Sequence, residues 1–196
     1  MTSTSFFFVD LENLSYNPQH DHDNQPKEGS SLFVMTQHRQ RILQLLQEHQ
    51  IQFTSLHHEE TRTSEESARV RGVDLSTGGK ALVLKMRDDS AANAFGLFIL
   101  SAACELDTKA IKKEFQTKNV RFATAAELAK LTEGLVPGSV PPFGRPILDL
   151  DLYIDTSVTE NEQIAFNCGS LTDSIIMSVG DYLKIAVPTK VFLFAK

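Results

Sequence analysis

Ser76-Thr77-Gly78-Gly79-Lys80-Ala81-Leu82-Val83-Leu84-Lys85 sets two glycines and a lysine against an apolar run. The segment ALVLKM reads as a strand, and FGLFILSA at 95–102 reads as a second, joined to it through the polar turn RDDSAAN. Lys80 has two readings on this stretch alone. It is either the solvated end of a strand or an ammonium at a strand mouth, approached closely because Gly78 and Gly79 carry no side chains. GxxxxGK[ST] is absent, so this is not a phosphate-binding loop of that type. Lys85 lies five residues on, an odd spacing that sends it to the opposite face of the strand.

Outward from that pair, the pattern is one of alternating helices and strands. Ile42, Leu43, Leu45 and Leu46 suit one side of a helix over 37–50, and IQFTSLHH follows as a strand. Thr63 and Glu66 have the spacing of a capping box, predicting a helix through Ala68 and Val70. Asp107 starts a helix through Ile111 and Phe115, VRFA is a short strand, and Thr124 with Glu127 opens another capped helix ending near Thr132. GLVPGSVPPFGRP then packs four prolines and three glycines into thirteen residues, so it is an ordered loop. ILDLDLYID alternates with period two and is expected to be a strand, as are EQIAFNC, LTDSIIM and the closing KVFLF. Ser178 caps a short helix before the last of these. The expected fold is a single α+β domain over 32–196, preceded by an extension, 1–31, that ends in the polar link SYNPQHDHDNQPKEGSS. FFFVDLEN in that extension is read as an added strand. A metal-dependent nuclease reading centred on Asp10 would need further acidic strand ends, which do not follow.

Composition narrows the function classes. The chain has 196 residues, 41% hydrophobic and 22% charged, with no apolar run near membrane-span length. The N-terminus lacks early basic residues and makes a poor signal peptide. Cys104 and Cys168 are expected to be packed thiols of a cytoplasmic protein. The net charge of −6 argues against broad binding to DNA, yet residues 69–121 carry ten Lys or Arg against six Asp or Glu. A local basic face of this kind can touch a few phosphates. His20 and His22 lie in the polar link, and His57-His58-Glu59-Glu60 lacks HExxH spacing, so no metal is expected. The Pro-Gly loop is either a rigid connection or a pocket wall with backbone dipoles fixed in advance. FNCGSLTD at 166–173 is explained by a hairpin turn, with Cys168 a buried thiol.

KALVLK at 80–85, FGLFILSA at 95–102, LDTKAIKKEF at 106–115, RFATAAEL at 121–128, GLVPGSVPPFG at 134–144 and NEQIAFNCGSLTDSIIM at 161–177 occur in one order. Together they resemble the YbaK/prolyl-tRNA synthetase-associated family of aminoacyl-tRNA deacylases. The resemblance implies a mixed, largely antiparallel, barrel-like sheet surrounded by helices. It implies a free-standing enzyme that needs no cofactor and hydrolyses the ester of mischarged tRNA at the acceptor end, with tRNA(Pro) as the expected tRNA. Prolyl-tRNA synthetase becomes a candidate partner, and no membrane or DNA partner is implied. The family lysine matches Lys80, the expected catalytic residue in a cationic, positioning role. The family GxxxP motif matches Gly138, Ser139, Val140, Pro141 and Pro142, the expected substrate-binding loop. Asn167, Gly169 and Ser170 complete the expected site. Where alanine-editing relatives carry histidine this chain has Asn167, which leaves serine, threonine, cysteine or a non-protein amino acid open as the group removed. A non-catalytic module that binds tRNA or a synthetase is the alternative of another class.

Overall fold

The computed structural model describes residues 31–87 and 93–196. FFFVDLEN, the polar link before Ser31, His20, His22 and most of the RDDSAAN turn lie outside the described residues.

Helix α1 (Ser31–Glu48) leads into strand β1 (Phe53–His57). Helix α2 (Ser64–Arg71) carries the complete capping box: Glu66 N–H donates to Thr63 Oγ1 at 3.1 Å, and Thr63 N–H donates back to Glu66 Oε2 at 3.2 Å. Gly72 ends it at φ 66°, the left-handed conformation that favours glycine. Strands β2 (Gly79–Arg87) and β3 (Asn93–Ser101) pair antiparallel, from Gly79 opposite Ser101 to Arg87 opposite Asn93. Helix α3 (Thr108–Glu114) is capped by Asp107 and followed by β4 (Asn119–Phe122) on the far edge of β2. Helix α4 (Ala125–Leu131) shows the second capping box at Thr124.

The strand expected over ILDLDLYID is shorter: β5 is Asp151–Asp155. Ile147, Leu148 and Leu150 are buried instead by turns that return to the Gly144 carbonyl. β5 also lacks a solvent face, because it lies parallel between β3 and β8 (Lys190–Phe192). Leu152 and Ile154 enter one core while Tyr153 enters another. A single turn, α5 (Thr156–Thr159), follows; then come β6 (Gln163–Asn167), β7 (Asp173–Ser178) and helix α6 (Val179–Ala186), capped by Ser178.

The strands form a mixed five-stranded sheet in the order β4-β2-β3-β5-β8 and an antiparallel three-stranded sheet in the order β1-β7-β6. The expected α+β fold with mixed, largely antiparallel sheets is present; the described sheets do not close into a barrel, and one isolated bridge, Gly78 to Ala165, joins them. Val83, Leu97 and Ile99 face Ile164, Phe166 and Ile175 across the main core, while Leu84, Phe98 and Leu100 pack with Ile111 and Phe194 in a second. No described helix is long and apolar enough to cross a membrane.

The glycines before Lys80 prove to serve this junction. A Cβ on Gly79 would come within 2.8 Å of Ile164 Cδ1, and one on Gly78 within 2.8 Å of Ala102 Cβ. The smallness of Gly79 lets the two sheets meet, and that of Gly78 lets the chain pass the end of β3, so packing requires both glycines.

Candidate active site

A cavity of about 220 Å³ opens where α2, the start of β2, the Gly138 loop and the end of β6 converge. Ser64, Ser67, Ala68 and Arg71 reach it from one face of α2, the i, i+3, i+4, i+7 stripe of a helix. Gly78, Gly79, Lys80, Ala81 and Leu82 come from β2 and its approach, Gly138 and Val140 from the loop, and Asn167 from the last position of β6. Among the described residues, Arg62, Arg71 and Lys80 are the charged residues of this wall, and it contains no Asp or Glu.

Lys80 and Lys85 do face opposite ways. Lys80 Nζ donates to the Cys104 carbonyl at 2.9 Å from a half-buried position. Lys85 pairs with Glu127 at 3.0 Å. Glu127 also takes both Nη groups of Arg121 and closes the α4 capping box, and these donors hold its carboxyl far below the usual carboxylate range. Lys85 is therefore committed to a surface cluster away from the cavity.

Of the sequence-selected residues, Lys80, Gly138, Val140 and Asn167 line the cavity; Ser139, Pro141, Pro142, Gly169 and Ser170 do not. Ser139 is fully buried, with its hydroxyl donating to the Val136 carbonyl at 2.9 Å and its own carbonyl receiving Gly169 N–H at 3.1 Å. The Pro142 carbonyl, next to Pro141, accepts the Tyr182 hydroxyl at 2.6 Å. Ser170 Oγ donates to Asp173 Oδ2 at 2.6 Å and accepts Asp173 N–H at 2.9 Å, locking the β6–β7 turn. Burial opposes ionisation of Asp173, but donors from Ser170, His57 and Thr172 outweigh it and hold the carboxyl below its ordinary value. Cys168 is wholly buried, and burial pushes its thiol up to about 11, which leaves it a packing group.

Sequence reading missed Arg71. Its guanidinium donates through Nε to Ser174 Oγ at 2.9 Å, through Nη2 to Asn167 Oδ1 at 2.7 Å, and through Nη1 to the Ala165 carbonyl at 3.4 Å. Among the described residues it has no carboxylate partner, and burial pulls its pKa down to about 10, which still leaves it charged at neutral pH. The available signal was its place one helical repeat after Ser64, in a helix whose N-cap was already identified. What sequence does not reveal is that the Arg71 face meets β6.

Asn167 sits opposite Ser174 in the β6–β7 pairing, and its Nδ2 donates to the Gly138 carbonyl at 2.8 Å. Ser174 Oγ lies 3.1 Å from Asn167 Oδ1 and 2.7 Å from His58 Nε2. His58 Nδ1 faces the Glu59 carbonyl at 2.7 Å and so carries hydrogen. Asn167 Oδ1 and His58 Nε2 thus both lie within reach of the single Ser174 hydroxyl, whereas Arg71 is a donor to Asn167 in either case. Such a wall, with one ammonium, one fixed guanidinium and an ordered loop, suits recognition of a polar substrate and stabilisation of negative charge developing at a carbonyl.

Comparison with known proteins identifies the family. The aminoacyl-tRNA editing domain family model matches residues 58–185. The multifunctional Ser/Thr-tRNA deacylase ProXp-y of Escherichia coli strain K12 is 35% identical over 151 residues, covering 76% of this chain and 88% of that protein. The same deacylase from Escherichia coli O157:H7 matches with the same figures. Among solved structures, a candidate trans-editing enzyme for prolyl-tRNA synthetase superposes with a TM-score of 0.66 at 21% identity, covering 81% of this chain and 97% of that one. A protein described as hypothetical does so with a TM-score of 0.68 at 19% identity, covering 80% and 99%. These two likenesses speak to the fold; the family match and the deacylase relatives speak to descent. The chain belongs to the aminoacyl-tRNA editing domain family.

Proposed function

We propose that this chain, an aminoacyl-tRNA hydrolase by family, removes serine or threonine from mischarged tRNA, with tRNA(Pro) among its substrates. The observation that carries the reading is that Lys80, Gly138, Val140 and Asn167, distant in sequence, line one cavity with no carboxylate in its wall among the described residues. The deacylase relatives supply the choice of hydroxy amino acids, and the solved trans-editing candidate supports tRNA(Pro) and a prolyl-tRNA synthetase partner.

An aminoacyl ester is already activated, so catalysis needs a positioned water and a stabilised tetrahedral oxyanion. Water adds to the ester carbonyl, the C–O bond to the ribose breaks, and the ribose oxygen leaves with a proton relayed from that water. Lys80 acts as a cation that holds the terminal nucleotide and offsets the developing charge. Among the described residues neither Gly138 N–H nor Val140 N–H donates a hydrogen bond, which supports a role for the loop backbone at the oxyanion.

The test is release of amino acid from seryl, threonyl and alanyl esters on tRNA(Pro) and on one unrelated tRNA, by wild type and Lys80→Ala. Release of serine and threonine, lost by about a hundredfold or more in Lys80→Ala, is expected. No release by wild type, or full activity in the variant, overturns the reading; equal rates on both tRNAs remove only the tRNA(Pro) preference.

A further inference from the structure

We propose that Arg71 is the specificity-determining residue of the cavity: by holding Asn167 Oδ1 it turns the amide so that N–H donors face the bound amino acid. This rests on the deacylase reading above and names the residue that makes the cavity choose a hydroxyl-bearing side chain.

A guanidinium can only donate, so the Asn167 atom 2.7 Å from Arg71 Nη2 must be the amide oxygen. The Gly138 carbonyl can only accept, so the atom 2.8 Å from it must be the amide nitrogen. Both ends demand the same orientation, and a flipped amide would be wrong twice. Nδ2 retains one further N–H, and Arg71 retains two of its five after its contacts with Ser174, Ala165 and Asn167. Both residues line the cavity, so this wall offers donors.

The wall formed by Thr61 and Ser67 offers the reverse. Ser67 Oγ donates to the Thr63 carbonyl at 2.9 Å, which spends its only hydrogen. The 2.9 Å contact between Thr61 and Ser67 is then a donation by Thr61, and the remaining capacity of both oxygens is to accept. Thr61 and Ser67 are buried and line the same cavity. A hydroxyl both donates and accepts, so it can join the two walls. A methyl group leaves buried polar atoms on both sides unmatched, the arrangement that rejects an analogue lacking the hydroxyl. An imidazolium at position 167 would meet a buried guanidinium of like charge, which gives Asn167 a reason to stand beside Arg71.

The experiment compares kcat/KM for seryl and alanyl esters of the same tRNA in wild type, Arg71→Lys, Arg71→Met and Asn167→Asp, with thermal melts on each. Arg71→Lys keeps the charge but cannot bond Asn167 and Ser174 through a planar fork. Asn167→Asp keeps an acceptor toward Arg71 and removes the N–H facing the substrate. The seryl-to-alanyl ratio is expected to fall about tenfold or more in all three, while Lys80→Ala lowers both rates and leaves the ratio in place. If Arg71→Met does not fold, Arg71→Lys and Asn167→Asp decide. An unchanged ratio in a folded variant overturns the role of Arg71 and leaves the deacylase reading standing. A wild type inactive on both esters overturns the reading and the inference together.

Discussion

Changing Tyr182 to Phe removes one atom from the back of the Gly138 loop. Tyr182 is fully buried, and its hydroxyl donates to the Pro142 carbonyl at 2.6 Å. Burial raises the phenol far above its ordinary pKa, so it remains a donor throughout the working pH range. The ring packs edge-on to Phe143 at 5.5 Å and lies 6.4 Å from Phe166. Phenylalanine keeps those contacts. The loss is therefore a hydrogen bond with a net worth of about 1 kcal/mol, plus part of the roughly 1–3 kcal/mol of leaving a buried carbonyl without a donor. A total near 2 kcal/mol is expected, equivalent to a fall in Tm of about 4–8 °C for a chain of this size. Urea unfolding should show a lower midpoint at unchanged slope. Because Pro142 lies in the same loop as Gly138, kcat/KM should fall by more than the folded fraction accounts for. A stability change under about 0.5 kcal/mol refutes the accounting for the hydrogen bond. Full activity alongside the expected destabilisation refutes the claim that Tyr182 holds the loop in its working shape.

His38 and Cys168 extend the test to the packing around the site. His38 is buried, donates through Nε2 to the Thr132 carbonyl at 2.9 Å, and has no partner at Nδ1 among the described residues; burial lowers its pKa from 6.5. A folded pKa below the unfolded one means that stability is intact above about pH 6.5 and is lost as pH falls from there through the folded value. Unfolding midpoints should thus drop between pH 7.5 and 5.5, and the drop should shrink in His38→Gln; an identical drop in that variant assigns the effect elsewhere. Cys168, buried with its thiol pushed up to about 11, should resist thiol reagents until the protein unfolds. Cys168→Ala should retain deacylation, and its loss without loss of folding would reinstate the thiol as a participant.

Local signals carried much of the reading. Both Thr-x-x-Glu capping boxes, the Asp107 cap and the β2–β3 pair are written in short stretches whose physics is complete within a few residues. The opposed facing of Lys80 and Lys85 follows from strand periodicity alone. ILDLDLYID misled because alternation reports burial, and turns buried Ile147, Leu148 and Leu150 without a ladder. The packing role of Gly78 and Gly79 was hidden because the groups that require their smallness, Ala102 just after β3 and Ile164 of β6, come from elsewhere in the chain. Of the loop motif, Gly138 and Val140 face the cavity while Ser139 staples the loop, a division that no pattern of small and proline residues encodes.

The sequence by itself determined most of the helices and strands, the order of the family motifs, and that Lys80 begins a strand. It did so because caps, turn residues and hydrophobic periods act over one or two turns of chain. Only the tertiary structure decided that the sheets stay open, that Arg71 reaches Asn167, and that the amide of Asn167 has one allowed orientation. Those depend on which donor meets which acceptor across segments nearly a hundred residues apart, and chain spacing places no constraint on that.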